Sequence, residues 1–429
     1  MDNNHSYELK LLILRHGVNF DDAFFAFPYD AFHLKAKYIS TFPVSSGKQV
    51  FDISTIKAKI PSEIILVDSF GMCSIVKTRN CESSPVSFRL NPDNTIAIYV
   101  NGKKSSCYAY LLKEDLALSE LIPRYGENDS RRAQIGDYIS IVGLDRISVL
   151  FFDGCYNWIN RTPCKFCDLH PRRKESKVFI PSANNLCDFK TVDDWWESNR
   201  VTYLNALEYS LCRILSSPSV LPHKHLFFMC GNLLSSRTVW NIIKDTLCFL
   251  SKSVSFTELD IVVNVPPHEN TNDLLFIKEL GIRTLQYNIE VIDKELFKAY
   301  CPGKIDYSLF IDKLVEAVDY LGAGNIRSNI VLGLQDMKNT LDGCDFLCDK
   351  GIVPDYSVFQ PKRHTALYKQ PSPNERDVIF FSHNLARMYR RYNFTPIFCS
   401  CSSRSSIMNE VYYEQGIHPI DIQPKLFNV

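Results

Sequence analysis

The alternation of apolar and polar positions changes rhythm near residue 146. Before that point, EIILVDSF (63–70) and NTIAIYVNG (94–102) have strand composition, and NPDN (91–94) is a turn signal. Residues 1–145 therefore read as a strand-containing mixed α/β accessory domain. It either shapes a pocket or partner surface, or simply packs. From 146 onward a stricter pattern sets in. The buried strand ISVLFF (147–152) opens it, and the helix at 202–217 and the strand HKHLFFMCGN (223–232), ending in a turn, follow. The helix at 236–252, the strand at 259–265 and the helix at 272–281 come next, then the strand IRTLQYNIE (282–290). Helices at 293–300 and 306–322 precede the strand NIRSNIVLGL (325–334), and a helix at 339–351 precedes the strand DYSVFQP (355–361).

Short apolar strands alternating with amphipathic helices predict a parallel sheet with helices outside it. Period and length predict an α/β fold, a partial (β/α)6 barrel over 146–365, with chemistry on the loops after the strands. A doubly wound sheet is the structural alternative, but no GxGxxG follows the first strand. Residues 366–429 read as a helical, covering C-terminal extension.

Composition narrows the setting. Among 429 residues, 45% are hydrophobic and 22% charged, ordinary values for a globular chain. Lysine plus arginine equals aspartate plus glutamate at 48 each, so no overall attraction to nucleic acid is expected. MDNNHSYELK lacks the basic flank and apolar stretch of a signal peptide, and no run is long enough to span a bilayer. A cytoplasmic protein with no membrane partner is expected. In that reducing setting the 15 cysteines are free thiols or metal ligands.

Three of them crowd one loop. GCYNWINRTPCKFCD (154–168) carries Cys155, Cys164 and Cys167, with eight and then two residues between them. The loop follows the first strand of the alternating region, on the face where barrels build sites. Structural zinc would need a fourth ligand, for which His170 is placed. Three thiolates can instead hold three irons of a [4Fe–4S] cluster and leave the fourth open to substrate or cofactor. Plain cysteines are the third reading.

At these residues the chain resembles the radical S-adenosylmethionine (SAM) superfamily, over about 147–365. The resemblance implies a partial (β/α)6 barrel and a site-differentiated [4Fe–4S] cluster on the cysteine triad. Phe166 stands where the family has an aromatic before the last cysteine, and the second gap matches. The first gap, eight residues, departs from the family's usual three. A longer loop can still deliver three thiolates if YNWINRTP folds back.

The other family positions follow in strand order. Gly231, in FFMCGN, stands at the glycine pair that meets the cofactor's amino group, with one glycine kept. Asn288 and Glu290, on one side of their strand, stand where the family contacts the ribose or amino acid part. Arg327 and Asn329 would reach the cofactor's carboxylate and ribose, and Gly333 would admit the adenine. LFKAYCPGK (296–304) resembles a turn outside the cofactor site.

The implied chemistry is reductive cleavage of SAM at the cluster, giving a 5′-deoxyadenosyl radical that abstracts hydrogen from a small-molecule substrate in a biosynthetic pathway. A flavodoxin- or ferredoxin-like reductant would supply the electron. Cys399 and Cys401, in IFCSCSSRSS, are candidate catalytic thiols or packed ones. Asp168 reads as a helix or turn cap. Two other functions stay open: radical modification of a peptide or nucleic acid, and a non-enzymatic zinc-stapled binding protein.

Overall fold

The computed structural model describes residues 5–38, 58–123, 125, 133–169, 189–217, 225–362, 365–397 and 403–414, without the side chains of 189–195. Two compact units divide the chain. One contains 1–115, 374–379 and 398–429; the other contains 116–373 and 380–397.

In the first unit, helix α1 (Ser6–His16) packs against β4 (Glu63–Val67) and β5 (Cys73–Lys77). Those two strands join β6 (Val86–Leu90), β7 (Ile96–Val100) and β9 (Tyr108–Leu111) in one sheet. Its order is β1 (Asn19–Phe20), β6, β7, β9, β4, β5. The strands expected from EIILV and TIAIYV are β4 and β7, and Asn94 takes the left-handed conformation that the NPDN turn requires. The core includes a buried ion pair. Lys10 Nζ lies 2.6 Å from the Glu410 carboxylate, which also accepts from Ser74 at 3.0 Å.

In the second unit, seven strands run in chain order across one sheet: β10 (Ile139–Val142), β11 (Arg146–Leu150), β12 (His225–Met229), β13 (Asp260–Asn264), β14 (Thr284–Gln286), β15 (Ile326–Leu332) and β16 (Ile352–Val358). β10 pairs antiparallel with β11, and every later pairing is parallel. The sheet curls into a half-barrel, the expected α/β class and partial barrel. Because β10 is bound into it, residues 116–145 group with the barrel, and the compact unit begins thirty residues before the boundary read at 145. The stretch 366–429 is likewise divided between the units.

Crossover helices begin where the sequence offers caps. Asn270, Asp293, Asp306 and Asp336 each accept a first-turn amide, starting α7 (Thr271–Glu279), α8 (Lys294–Tyr300), α9 (Tyr307–Leu321) and α10 (Met337–Asp349). The strands present two different faces. Ile147, Val149, Leu226, Phe228, Val263, Leu285 and Ile330 are buried on one. Ser148, Asn264, Gln286, Arg327, Asn329, Asp355 and Ser357 alternate onto the other. A parallel sheet packed on both sides would be apolar on both. Polar side chains in register across β13–β16 mark a face built for something other than packing.

Candidate active site

The eight-residue gap after Cys155 folds into one helical turn. Cys155 is the N-cap residue of α4 (Tyr156–Ile159), and Arg161 (φ +59°) turns the chain back. The Thr162 amide then donates to the Asn157 carbonyl at 2.8 Å, and Cys167 N to Cys164 O at 3.0 Å. YNWINRTP thus folds back between Cys155 and Cys164, and Cys155 and Cys167 each feel the Cys164 thiol electrostatically.

The end of β12 seats this loop. Tyr156 N donates to the Asn232 carbonyl at 2.7 Å, and Asn232 N points at Cys155 Sγ at 3.3 Å. Gly231 makes the approach possible. A Cβ there would lie 2.4 Å from the Gly154 carbonyl oxygen and 2.7 Å from Cys155 Cβ. Leu169 N donates to Cys167 Sγ at 3.4 Å. Amides aimed at two sulfurs suit anionic, metal-bound thiolates.

Burial raises the Cys155 thiol and pushes Cys167 up to about 12. Cys164 is raised by its hydrogen bond to Cys301 and by burial. Without metal these thiols are neutral at pH 7, and a bound metal would displace their protons. Soft sulfur donors on one loop, with amides directed at them, fit an iron–sulfur group. Among the described residues, no three Cys, His, Asp or Glu side chains converge on one ion's position.

Facing the loop is a polar network on the segment just past β14 and on β15. Asn288 Oδ1 accepts from Gln286 Nε2 at 2.9 Å and from Asn329 N at 3.2 Å. Asn329 Nδ2 reaches Glu290 at 3.4 Å and Ser357 at 3.3 Å. Glu290 has φ +68°, sparsely populated for a side chain of its size, and is held there by a bridge to Ile330.

Several expected site residues are placed differently. Arg327, assigned by resemblance to the cofactor's carboxylate, forks onto Asp355 with two 2.7 Å bonds and also donates to the Thr395 carbonyl. That makes it a strut between β15 and β16. Gly333 (φ +104°) points its Cβ direction at Pro373, whose Cδ would lie 2.7 Å away. Phe166 is half-buried within the loop. Asp168 pairs with Lys362, and the residues that it would cap lie outside the described ones. Cys399, Cys401 and His170 lie outside the described residues.

The turn at LFKAYCPGK, expected away from the site, lies against it. Lys165 N donates to the Tyr300 carbonyl at 2.8 Å, which sets Cys301 opposite Cys164. A Cβ on Gly303 would lie 2.5 Å from the Asn157 amide and 2.6 Å from the Thr162 carbonyl oxygen. Lys304 Nζ donates to the Asn288 carbonyl and sits 3.6 Å from the Glu290 carboxylate. Pro302–Gly303 marks a turn in the sequence. No local pattern says what that turn packs on.

No family model matches the chain. It is 30% identical over 139 residues to the bacteriochlorophyllide c C-7(1)-hydroxylase of Chlorobaculum limnaeum, a match covering 32% of this chain and 35% of that protein. The chain thus matches about a third of its curated relative's length. Among solved structures, the FeFe-hydrogenase maturase HydG of Carboxydothermus hydrogenoformans superposes at a TM-score of 0.40 with 14% identity, covering 63% of this chain and 56% of that one. Coproporphyrinogen III oxidase HemN of Escherichia coli, a radical SAM enzyme, gives 0.37 with 12% identity, covering 64% and 58%.

Proposed function

We propose that this chain is a radical SAM enzyme, with Cys155, Cys164 and Cys167 each holding one iron of a [4Fe–4S] cluster. The observation that carries this is the cysteine loop, folded back by α4 and seated by Gly231 at the end of the second parallel strand. Bound there, the cluster would supply the electron that cleaves SAM to a 5′-deoxyadenosyl radical, which then takes hydrogen from a small-molecule substrate. Glu290, Asn288 and Asn329 face the same space and would hold the cofactor's polar groups. The Phe166 ring would shield it. The Arg327–Asp355 fork fixes the register of the wall behind them. A flavodoxin- or ferredoxin-like protein would deliver the electron. Cys399 or Cys401 would act in the second half of the reaction.

The test is anaerobic reconstitution followed by iron, sulfide and zinc counts, then reaction with reductant and SAM. About four irons and four sulfides per chain, with release of 5′-deoxyadenosine, support the proposal. Each single Cys→Ala change in the triad should abolish cleavage. One zinc without sulfide would replace it with the zinc-stapled module.

A further inference from the structure

The Tyr300–Lys304 turn is the second wall of the cysteine loop, and its last residue is a half-buried cation. The Lys165–Tyr300 backbone bond ties the two segments together, and Gly303 touches the loop at Asn157 and Thr162. The Lys304 side chain is only 16% exposed. Its ammonium lies 5.4 Å from the centre of the Phe310 ring and 3.6 Å from Glu290, and donates to the Asn288 carbonyl. Its charge acts on all three triad cysteines. Burial opposes that charge, but the Glu290 carboxylate beside it, first among its neighbours, helps to hold the amine's pKa above its ordinary value. A fixed cation in a partly dry site acts more strongly than one in water.

We propose that Lys304 is a positioning residue for the cluster, its ammonium countering the negative charge of the bound thiolates and tying the loop to Glu290. The inference rests on the cluster reading above. Reduction adds one electron, taken from an external reductant, to an already negative group. A neighbouring positive charge favours the reduced state, so net charge and hydrogen bonding around the sulfurs set the potential. Removing the charge should make reduction harder without removing a ligand.

The experiment uses the full chain, reconstituted anaerobically without SAM, as wild type, Lys304→Met and Lys304→Arg. Iron and sulfide are counted, and the reduced fraction is read by visible bleaching and electron paramagnetic resonance at mediator-poised potentials. In Lys304→Met the reduced-to-oxidised ratio at a fixed potential should fall about tenfold, and Lys304→Arg should restore most of it. Loss of the cluster in Lys304→Met but not in Lys304→Arg would also support the role, since only the charge is then essential. Loss in both variants would overturn it in favour of packing. An intact cluster with an unshifted ratio in Lys304→Met would overturn this inference alone. A wild type that takes up no iron and sulfide would overturn the cluster reading itself.

Discussion

Gly231 shows how one missing atom positions the site. Its neighbours leave no room for a Cβ, because the Gly154 carbonyl and the Cys155 backbone already occupy that space. Gly231→Ala must therefore push the cysteine loop away from β12. The cost should be about 1–3 kcal/mol, typical of forced overpacking. Urea unfolding of the metal-free protein measures that cost, and iron uptake by the same variant should fall with it. An unchanged midpoint together with full iron content would show that the loop tolerates displacement. The sequence marked Gly231 by its place after the second strand. Its physical reason, contact with Cys155, exists only once residues 154 and 231 meet in space. Arg327 and Gly333 show the converse. Their strand positions were legible, but Asp355 and Pro373 come from distant sequence and claim them first.

At the scale of elements, the loop from β13 to α7 is fastened by a histidine that the alternation of strands and helices does not mark. His268 is buried, with Nδ1 3.1 Å from the Tyr287 hydroxyl and Nε2 3.0 Å from the Glu316 carboxylate. Lys313 lies 3.3 Å from the same ring nitrogen, and Asp273 also acts on the ring. Burial lowers the histidine's pKa more than Glu316 raises it. As pH falls, the unfolded chain therefore takes up the proton first. The contribution to stability is complete above the ordinary histidine value of about 6.5 and is lost as pH falls through the lower folded value. Unfolding free energy should decline on acidification below that point, and His268→Gln should flatten the decline. Equal slopes in the two proteins would assign the acid sensitivity to other groups. The elements themselves were readable because period and caps agree, as at Asp306 and Asp336. Strand β14 was read too long. The sequence suggested 282–290, yet the ladder ends at Gln286, and the chain departs from it to set Glu290 at positive φ. Apolar alternation continues through Tyr287 and Ile289, so pattern alone could not show that break.

For the whole molecule, the strand–helix alternation made the half-barrel legible, and three cysteines in one loop marked its candidate site. Where the barrel unit begins was not legible, since β10 joins the sheet by an antiparallel pairing that periodicity cannot announce. The wall formed by Tyr300–Lys304 was hidden for the same reason, because it depends on a pairing across 135 residues between Lys165 and Tyr300. These separations have an energetic consequence. A group held by the cysteine loop is bound only when β11, β12 and the Tyr300–Lys304 turn are assembled, so its binding free energy adds to folding. At a free-ligand level a thousand times its dissociation constant, the gain is about 4 kcal/mol. At roughly 2 °C per kcal/mol for a unit of more than about 250 residues, thermal unfolding should move up by about eight degrees on anaerobic reconstitution. A chelator or air should reverse the shift, and a variant with Cys155, Cys164 and Cys167 all changed to alanine should show none. The same rise with zinc alone, at one ion per chain, would mean that the loop is a structural staple. No rise with either metal would mean that the three thiols are separate packing residues.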